Sequence, residues 1–133
     1  QPDETEKNLE AIIKIANTDN ILFKDEVFGP VVSVMSFGSE EEAISLANQT
    51  SYGLAGGVWT QDISRAINVS KLIDAGYLWI NTYGGIIPET PYGGFKQSGY
   101  GKELGTEGLN EYLKIKNISI FTGNKLPKWY GNN

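Results

Sequence analysis

The chemistry open to this chain is limited first by two residue types that it lacks. Its 133 residues contain neither cysteine nor histidine. Without cysteine there is no thiolate nucleophile, no thiolate metal site and no disulfide framework. Without histidine there is no imidazole base and no histidine-ligated zinc. We therefore expect no metal site here, and any reaction that needs a thiolate must take it from outside these residues.

Two short stretches hold the first candidate functional residues. Residues 26–34 read Glu-Val-Phe-Gly-Pro-Val-Val-Ser-Val, and residues 91–101 read Pro-Tyr-Gly-Gly-Phe-Lys-Gln-Ser-Gly-Tyr-Gly. Taken alone, the first stretch fits a strand entry in which Glu26 is a solvated acid. The glycines that end the second stretch do not have the G-x-G-x-x-G spacing of a dinucleotide-binding turn. A dinucleotide-binding unit is therefore not expected within this chain.

Length and composition predict one folded domain with a core. Hydrophobic residues make up 40% of the chain, which argues against disorder. The net charge of −5 disfavours a nucleic-acid partner. No apolar run approaches the ~20 residues of a membrane span, and no secretory signal is visible, so we expect a cytoplasmic protein. The chain begins at Gln1 and its only methionine is Met35, which favours a fragment or a processed or trimmed chain.

The hydrophobic pattern predicts helices and strands in alternation. Apolar residues share one helical stripe in residues 4–17. Ser39 and Glu42 form a capping box ahead of a second helix, and Asp62 can cap a third that ends near Asp74, with Gly76 as the residue after the cap. Thr106 can cap a short helix through Leu113. The predicted strands are Val31–Phe37, Leu54–Thr60, Tyr77–Asn81 and Ile115–Phe121.

Strands joined by helices through short connections predict an α/β fold with a parallel sheet and flanking helices. Ligands bind such sheets at the carboxyl ends of the strands. The strand Tyr77–Asn81 is followed by a long Gly/Pro-rich loop, residues 82–105. Long loops in compact domains are commonly functional, so we expect this loop to line a ligand site.

Five motifs in order carry a family resemblance. They are residues 26–34, Asn-Gln-Thr-Ser-Tyr-Gly-Leu-Ala-Gly-Gly-Val-Trp-Thr (48–60), Leu-Trp-Ile-Asn-Thr (78–82), Gly-Gly-Phe-Lys-Gln-Ser-Gly (93–99) and Lys-Glu-Leu-Gly (102–105). From about Ile21 to Phe121 the chain resembles the C-terminal part of an aldehyde dehydrogenase, and the betaine-aldehyde and related branches look nearest. The resemblance implies a complete enzyme that oxidises an aldehyde to a carboxylic acid with NAD or NADP. Because the family attacks its substrate with a cysteine thiolate, we expect the isolated chain to be inactive.

The resemblance assigns roles to three residues. Glu26 matches the glutamate that hydrogen-bonds the nicotinamide ribose, and an ionised carboxylate is a strong acceptor for a diol. Phe28 matches the phenylalanine that lies against the nicotinamide, where a ring gives a flat apolar wall. Glu103 matches a carboxylate implicated in passing protons away from the catalytic base. A simple surface acid or a salt bridge is the alternative for Glu103.

The loop that begins at Tyr83 resembles the family's substrate-binding loop. Tyr83, Ile86, Ile87 and Tyr92 are its candidate substrate-binding residues. An apolar tunnel edged by aromatic rings favours an uncharged aliphatic or aromatic aldehyde. A quaternary ammonium aldehyde stays open if the tyrosines contribute to a cation–π cage.

The resemblance also divides the chain and implies partners. Residues 1–20 diverge from the family and are predicted to be helical, residues 21–113 match the catalytic domain, and residues 114–133 form the oligomerisation strand and tail. Within the last part, Ile115–Phe121 is expected to pair with a neighbouring subunit, since an unpaired apolar strand is prone to aggregate. The expected partners are the remainder of the enzyme, which carries the cysteine, and further copies in a homo-oligomer. A non-catalytic assembly module derived from the family is the alternative function.

Overall fold

The computed structural model describes residues 11–124, which form six strands and four helices. The helices are α1 (Ile21–Lys24), α2 (Glu40–Gln49), α3 (Ile63–Leu72) and α4 (Gly105–Asn110). The strands are β1 (Ala11–Lys14), β2 (Val31–Val34), β3 (Tyr52–Gly53), β4 (Ala55–Val58), β5 (Tyr77–Ile80) and β6 (Phe95–Lys96). The α/β class predicted from the sequence is confirmed.

The described strands form three two-stranded ladders and not one continuous sheet. β1 pairs with β2 in parallel, from Ala11 opposite Val31 onward. β4 pairs with β5 in parallel, from Ala55 opposite Tyr77 onward. β3 and β6 form a short antiparallel ladder that brings the far end of the long loop back to the residues before β4. The parallel pairing was predicted correctly, whereas the division into separate ladders was not.

Side-chain caps fix the starts of the two longer helices, as the sequence predicts. The Ser39 hydroxyl accepts from the Glu42 amide at 3.2 Å, and the Glu42 carboxylate accepts from the Gly38 amide at 2.6 Å. A hydrogen bond from its own backbone N–H, and then one from the Ser39 hydroxyl, lowers the pKa of the Glu41 carboxyl. Asp62 accepts from the Arg65 amide at 3.0 Å and caps α3.

Two helix ends differ from the prediction. α3 ends at Leu72, so Gly76 is not the residue after its cap. A Cβ at Gly76 would collide with the Gly93 carbonyl, so the glycine is required by the close approach of two backbones. α4 begins after Leu104, which has a φ of 61°, and no side chain caps it, so the predicted Thr106 cap is wrong.

The helix predicted over residues 4–17 is wrong where the structure describes it. Ala11–Lys14 is a strand whose four residues pair with β2. A short apolar stripe is ambiguous between helix and strand, and pairing with a β-branched neighbour overrides local propensity. Residues 4–10 lie outside the described range. The predicted boundary after residue 20 falls between the two paired strands.

The predicted strand Ile115–Phe121 is also wrong for the chain by itself. These residues have no regular secondary structure, and Ile115, Ile118 and Ile120 are exposed. A β-strand forms by hydrogen bonding to a neighbouring strand, and no described segment of this chain pairs with these residues. Pairing with another subunit stays a prediction.

The hydrophobic core of the described residues is small. Its buried apolar side chains are Ile15, Ala66 and Trp79. Ala66 lies on the face of α3 that packs towards the β4–β5 ladder, and Trp79 belongs to β5. Trp79 therefore connects the core to the long loop that follows β5.

Candidate functional site

The candidate site begins where β4 and β5 end, because the carboxyl ends of parallel strands share one edge of the sheet. Asn81 follows β5 and has a φ of 54°, which turns the chain out of the ladder. Its amide nitrogen Nδ2 donates to the Thr60 carbonyl and its Oδ1 accepts from the Thr60 N–H, both at 2.9 Å. The start of the loop is thus attached to the end of β4 by a side chain.

A second bond attaches the loop to β5 itself. The indole nitrogen of Trp79 donates to the Gly85 carbonyl at 2.6 Å. Because Trp79 is buried, this bond ties an exposed loop residue to the core of the described chain. Ile86 and Ile87 follow directly and are exposed, so they offer an apolar surface next to the tie.

The loop residues Tyr83 and Tyr92 lie at the two ends of a row of aromatic rings. Tyr92 stands 5.6 Å from Tyr77, Tyr77 stands 4.8 Å from Trp79, and Trp79 stands 4.9 Å from Tyr83, as measured between ring centroids. The rings are tilted by 50–54° to one another. Such offset pairs stabilise the row by about 0.5–1.5 kcal/mol per contact beyond area burial. Tyr83 is 70% exposed, so its ring has a free face.

Glu103 is brought next to the loop through the backbone. Tyr92 and Glu103 exchange two backbone hydrogen bonds of 2.7 Å each in an antiparallel bridge. The Glu103 side chain is exposed, and within residues 11–124 no ion pair involves it. Three of the candidate positions, Tyr83, Tyr92 and Glu103, are therefore connected through β5 and the loop.

Glu26 and Phe28 occupy a separate connection, between α1 and β2. Phe28 is 97% exposed and Glu26 is exposed as well. Among the described residues, no hydrogen bond, ion pair or aromatic contact joins either of them to the loop at residues 82–94. Phe28 is one of many large apolar side chains that the described residues expose, so its exposure alone does not identify a binding surface.

Lysine side chains fix the return of the loop, which sequence reasoning missed. The Lys96 amino group donates to the Asn48 carbonyl at 2.9 Å and the Thr50 carbonyl at 3.2 Å, at the end of α2, and lies 3.3 Å from the Asp74 carboxylate. A cation near the last carbonyls of a helix is favourable. Lys102 donates to the Gly94 carbonyl at 3.0 Å and sits over the Phe95 ring.

An apolar groove of the described residues lies away from these candidate residues. It has a volume of about 470 Å³ and lies between α2, α3 and the β4–β5 ladder. Its apolar lining includes Phe37, Ala43, Ile44, Ala47, Val58, Trp59, Val69, Ile73 and Leu78. None of the candidate site residues lines it. The groove is an apolar face that other described elements leave open.

The part of the chain that the structure describes lacks two further kinds of feature. No cluster of three or more acidic side chains there could hold a metal ion. No helix within residues 11–124 is long and apolar enough to cross a membrane.

Comparison with known proteins gives consistent matches. The sequence model of the aldehyde dehydrogenase family matches residues 7–118, beginning upstream of the motifs that carry the resemblance. The betaine aldehyde dehydrogenase of Bacillus subtilis (strain 168) is 43% identical over 121 residues, which are 91% of this chain and 25% of that protein.

Solved structures of betaine aldehyde dehydrogenase from Staphylococcus aureus agree with this match. An apo mutant form and a complex with NAD+ each superpose with a TM-score of 0.83 at 45% identity, over 91% of this chain and 24% of theirs. The chain thus spans about a quarter of the length of the relatives it matches. By its motifs, its fold and these matches, the chain belongs to the aldehyde dehydrogenase family.

Proposed function

We propose that this chain is the C-terminal portion of an NAD-dependent aldehyde dehydrogenase that oxidises an aldehyde to a carboxylic acid. The main support is the tied loop at the carboxyl edge of β4 and β5, which carries Tyr83, Ile86, Ile87 and Tyr92 in a chain of this family. In this proposal the loop lines the substrate tunnel. Glu103, bridged to Tyr92, takes part in moving protons away from the reaction.

The connection before β2 is the proposed contact with the cofactor. Phe28 offers an exposed flat ring, and Glu26 offers an exposed carboxylate that is in no ion pair within the described residues. These groups suit the apolar face of a nicotinamide and the diol of a ribose. When bound, the cofactor accepts the hydride that the aldehyde loses. NAD is preferred to NADP because the solved Staphylococcus aureus relatives include NAD+ complexes.

The proposed substrate is a quaternary ammonium aldehyde. The sequence favoured an uncharged aldehyde, because residues 83–87 have no charge. The row of four rings and the names of the relatives, which are betaine aldehyde dehydrogenases, now favour the cationic alternative. An aromatic face stabilises a quaternary ammonium group by cation–π attraction without any hydrogen bond.

The remainder of the enzyme is the first proposed partner. It supplies the cysteine nucleophile, which this chain lacks. The open groove between α2, α3 and the β4–β5 ladder is an apolar surface suited to contact with other polypeptide. The second proposed partner is another copy of the enzyme, which pairs through Ile115–Phe121.

An assembly module without catalysis is the second candidate function. The exposed apolar segment Ile115–Phe121 favours it, since that surface can act without any active site. Only the enzyme requires the exposed pair Glu26 and Phe28 to bind a cofactor.

Formation of NADH separates the two functions. We expect the complete protein that carries this chain to reduce NAD in the presence of betaine aldehyde, and Phe28→Ala to slow that reduction. Tyr112→Ala, which removes another exposed ring outside the loop at residues 82–105, is the matched control and should leave the rate unchanged. A protein that assembles normally but forms no NADH with betaine aldehyde or a straight-chain aldehyde would be an assembly module.

A further inference from the structure

Asn81, at the end of β5, forms hydrogen bonds through both its backbone and its side chain. Its backbone N–H donates to the Val58 carbonyl at 2.9 Å, which continues the parallel ladder by one step. At the same residue the chain turns to a φ of 54°, so the backbone of Thr82 leaves the ladder. Asparagine tolerates this left-handed conformation better than most residues.

The side chain of Asn81 makes the hydrogen bonds to β4 that the backbone would make if the strand continued. Its amide satisfies both the N–H and the carbonyl of Thr60, in the manner of one more strand residue. Thr60 in turn accepts from the Asp62 amide through its hydroxyl at 3.1 Å, and Asp62 caps α3. Hydrogen bonds through Thr60 and Asp62 thus connect the start of the loop to the start of α3.

The point held by Asn81 is two residues before Tyr83. The next tie along the loop is the bond from Trp79 to the Gly85 carbonyl, so Tyr83 lies between two fixed points. The ring of Tyr83 contacts that of Trp79 at 4.9 Å, and this contact depends on the path that the backbone takes from Asn81. A change in the direction of the chain at Asn81 would therefore move the ring of Tyr83.

We propose that Asn81 is a positioning residue, which sets the place of Tyr83 in the substrate tunnel by clamping the start of the loop to Thr60. This inference rests on the proposed function, in which Tyr83 contacts the aldehyde. Asn81 itself contacts no substrate and acts through the loop.

Two substitutions separate the clamp from the backbone turn. Asn81→Gly keeps the left-handed backbone accessible and removes only the amide. Asn81→Asp keeps an acceptor for the Thr60 N–H but loses the donor and places an oxygen against the Thr60 carbonyl. Asn68→Gly, at an exposed position of α3, is the control for a general loss of stability, since glycine weakens a helix.

The test combines two measurements on the complete protein that carries this chain. Hydrogen exchange of the Thr60 and Asn81 backbone amides, which are hydrogen-bonded across the clamp, should be faster in Asn81→Gly and Asn81→Asp than in the wild type, and unchanged in Asn68→Gly. The kcat/KM for the aldehyde should fall about tenfold or more in both Asn81 variants through the KM for the aldehyde, with an unchanged KM for NAD.

Two results would overturn the inference. One is exchange of the Thr60 and Asn81 amides that is the same in the Asn81 variants as in the wild type. The other is faster exchange with an unchanged KM for the aldehyde, which would leave the clamp without a role in substrate placement. If the wild-type protein oxidises no aldehyde, the proposed function fails, while the exchange measurement still decides whether Asn81 holds the loop.

Discussion

Among single residues, Glu26 matters most to the proposed binding of the cofactor. We expect Glu26→Gln in the complete enzyme to lower kcat more than it weakens capture of the aldehyde. The amide keeps the shape of the side chain but loses charge-assisted hydrogen bonds of about 1.5–3 kcal/mol. That range corresponds to roughly a 10- to 150-fold slower hydride transfer, because the cofactor is less well placed.

Single-turnover measurement of NADH formation checks this expectation. Asp25→Asn is the matched control, because it removes the adjacent exposed charge and should leave the rate unchanged. If Glu26→Gln has a normal kcat with normal cofactor binding, Glu26 is only a surface acid.

A second prediction at this scale concerns Tyr83. We expect kcat/KM for betaine aldehyde to exceed that for a straight-chain aldehyde, and Tyr83→Ala to reduce the preference by about tenfold or more, as expected for the loss of a desolvated cation–π contact of about 2 kcal/mol. Tyr112→Ala, which removes an exposed ring outside the aromatic row, should leave the preference intact. An unchanged preference in Tyr83→Ala would remove this residue from the site.

Some residues of the candidate site could be predicted from the sequence, and others could not. Glu26 and Phe28 could be selected because they stand in a motif with a family resemblance. Asn81 and Lys96 could not, because their partners are backbone groups 21 and 46–48 residues away in the chain. The only local signal for Asn81 is its residue type at a strand end, where a left-handed turn favours asparagine.

At the scale of the element, the close approach of Gly76 and Gly93 is the most demanding feature. The Gly76 amide, just before β5, also donates to the Gly53 carbonyl at 3.0 Å, which holds the Gly76 backbone in place. We expect Gly76→Ala to destabilise the enzyme by about 1–3 kcal/mol or more, because the new methyl group meets the Gly93 carbonyl.

Thermal unfolding of the two alanine variants Gly76→Ala and Gly85→Ala tests this expectation. A Cβ at Gly85 would meet no atom within 4 Å, so that substitution is the matched control. It should leave the unfolding temperature unchanged or raise it slightly, since alanine has less freedom in the unfolded chain. Equal unfolding temperatures for the two variants would show that the backbones can separate.

Local signals were sufficient for some elements and insufficient for others. The helices that start after Ser39 and Asp62 were predicted because each cap is encoded within three residues of the helix start. β1 was mistaken for helix because its identity depends on pairing with β2, about 20 residues away. Ile115–Phe121 was predicted as a strand from its alternation alone, which does not supply a partner.

At the scale of the whole molecule, the described residues bury little apolar surface for their number. Only three apolar side chains in this part of the chain are buried, while large ones such as Phe37, Trp59 and Ile115 are exposed. The chain spans about a quarter of the length of its relatives. In the proposed function, this exposed apolar surface contacts the remainder of the enzyme. Composition could not reveal this, because it does not tell which apolar residues share a core.

One consequence is that the isolated chain should self-associate. Ile118→Pro should reduce association, because proline removes a donor from any ladder that Ile115–Phe121 forms. The cost to the single chain should be small, since the described segment is irregular there. Phe28→Ser removes a similar apolar area elsewhere and should leave association unchanged. Light scattering of the three proteins checks this, and a strictly monomeric wild-type chain would contradict the pairing role.

The most direct measurement exchanges this chain for the matching segment of a complete relative. In the betaine aldehyde dehydrogenase of Bacillus subtilis, the matching segment, aligned over 121 residues, is replaced by this chain, and reduction of NAD is measured with betaine aldehyde. We expect the soluble chimera to be active and Glu26→Gln within it to lower kcat at least about tenfold. The isolated chain should form no NADH because it has no cysteine. Two results would contradict the proposed function. One is a soluble chimera of native size that binds NAD but oxidises no aldehyde, and the other is NADH formation by the purified isolated chain.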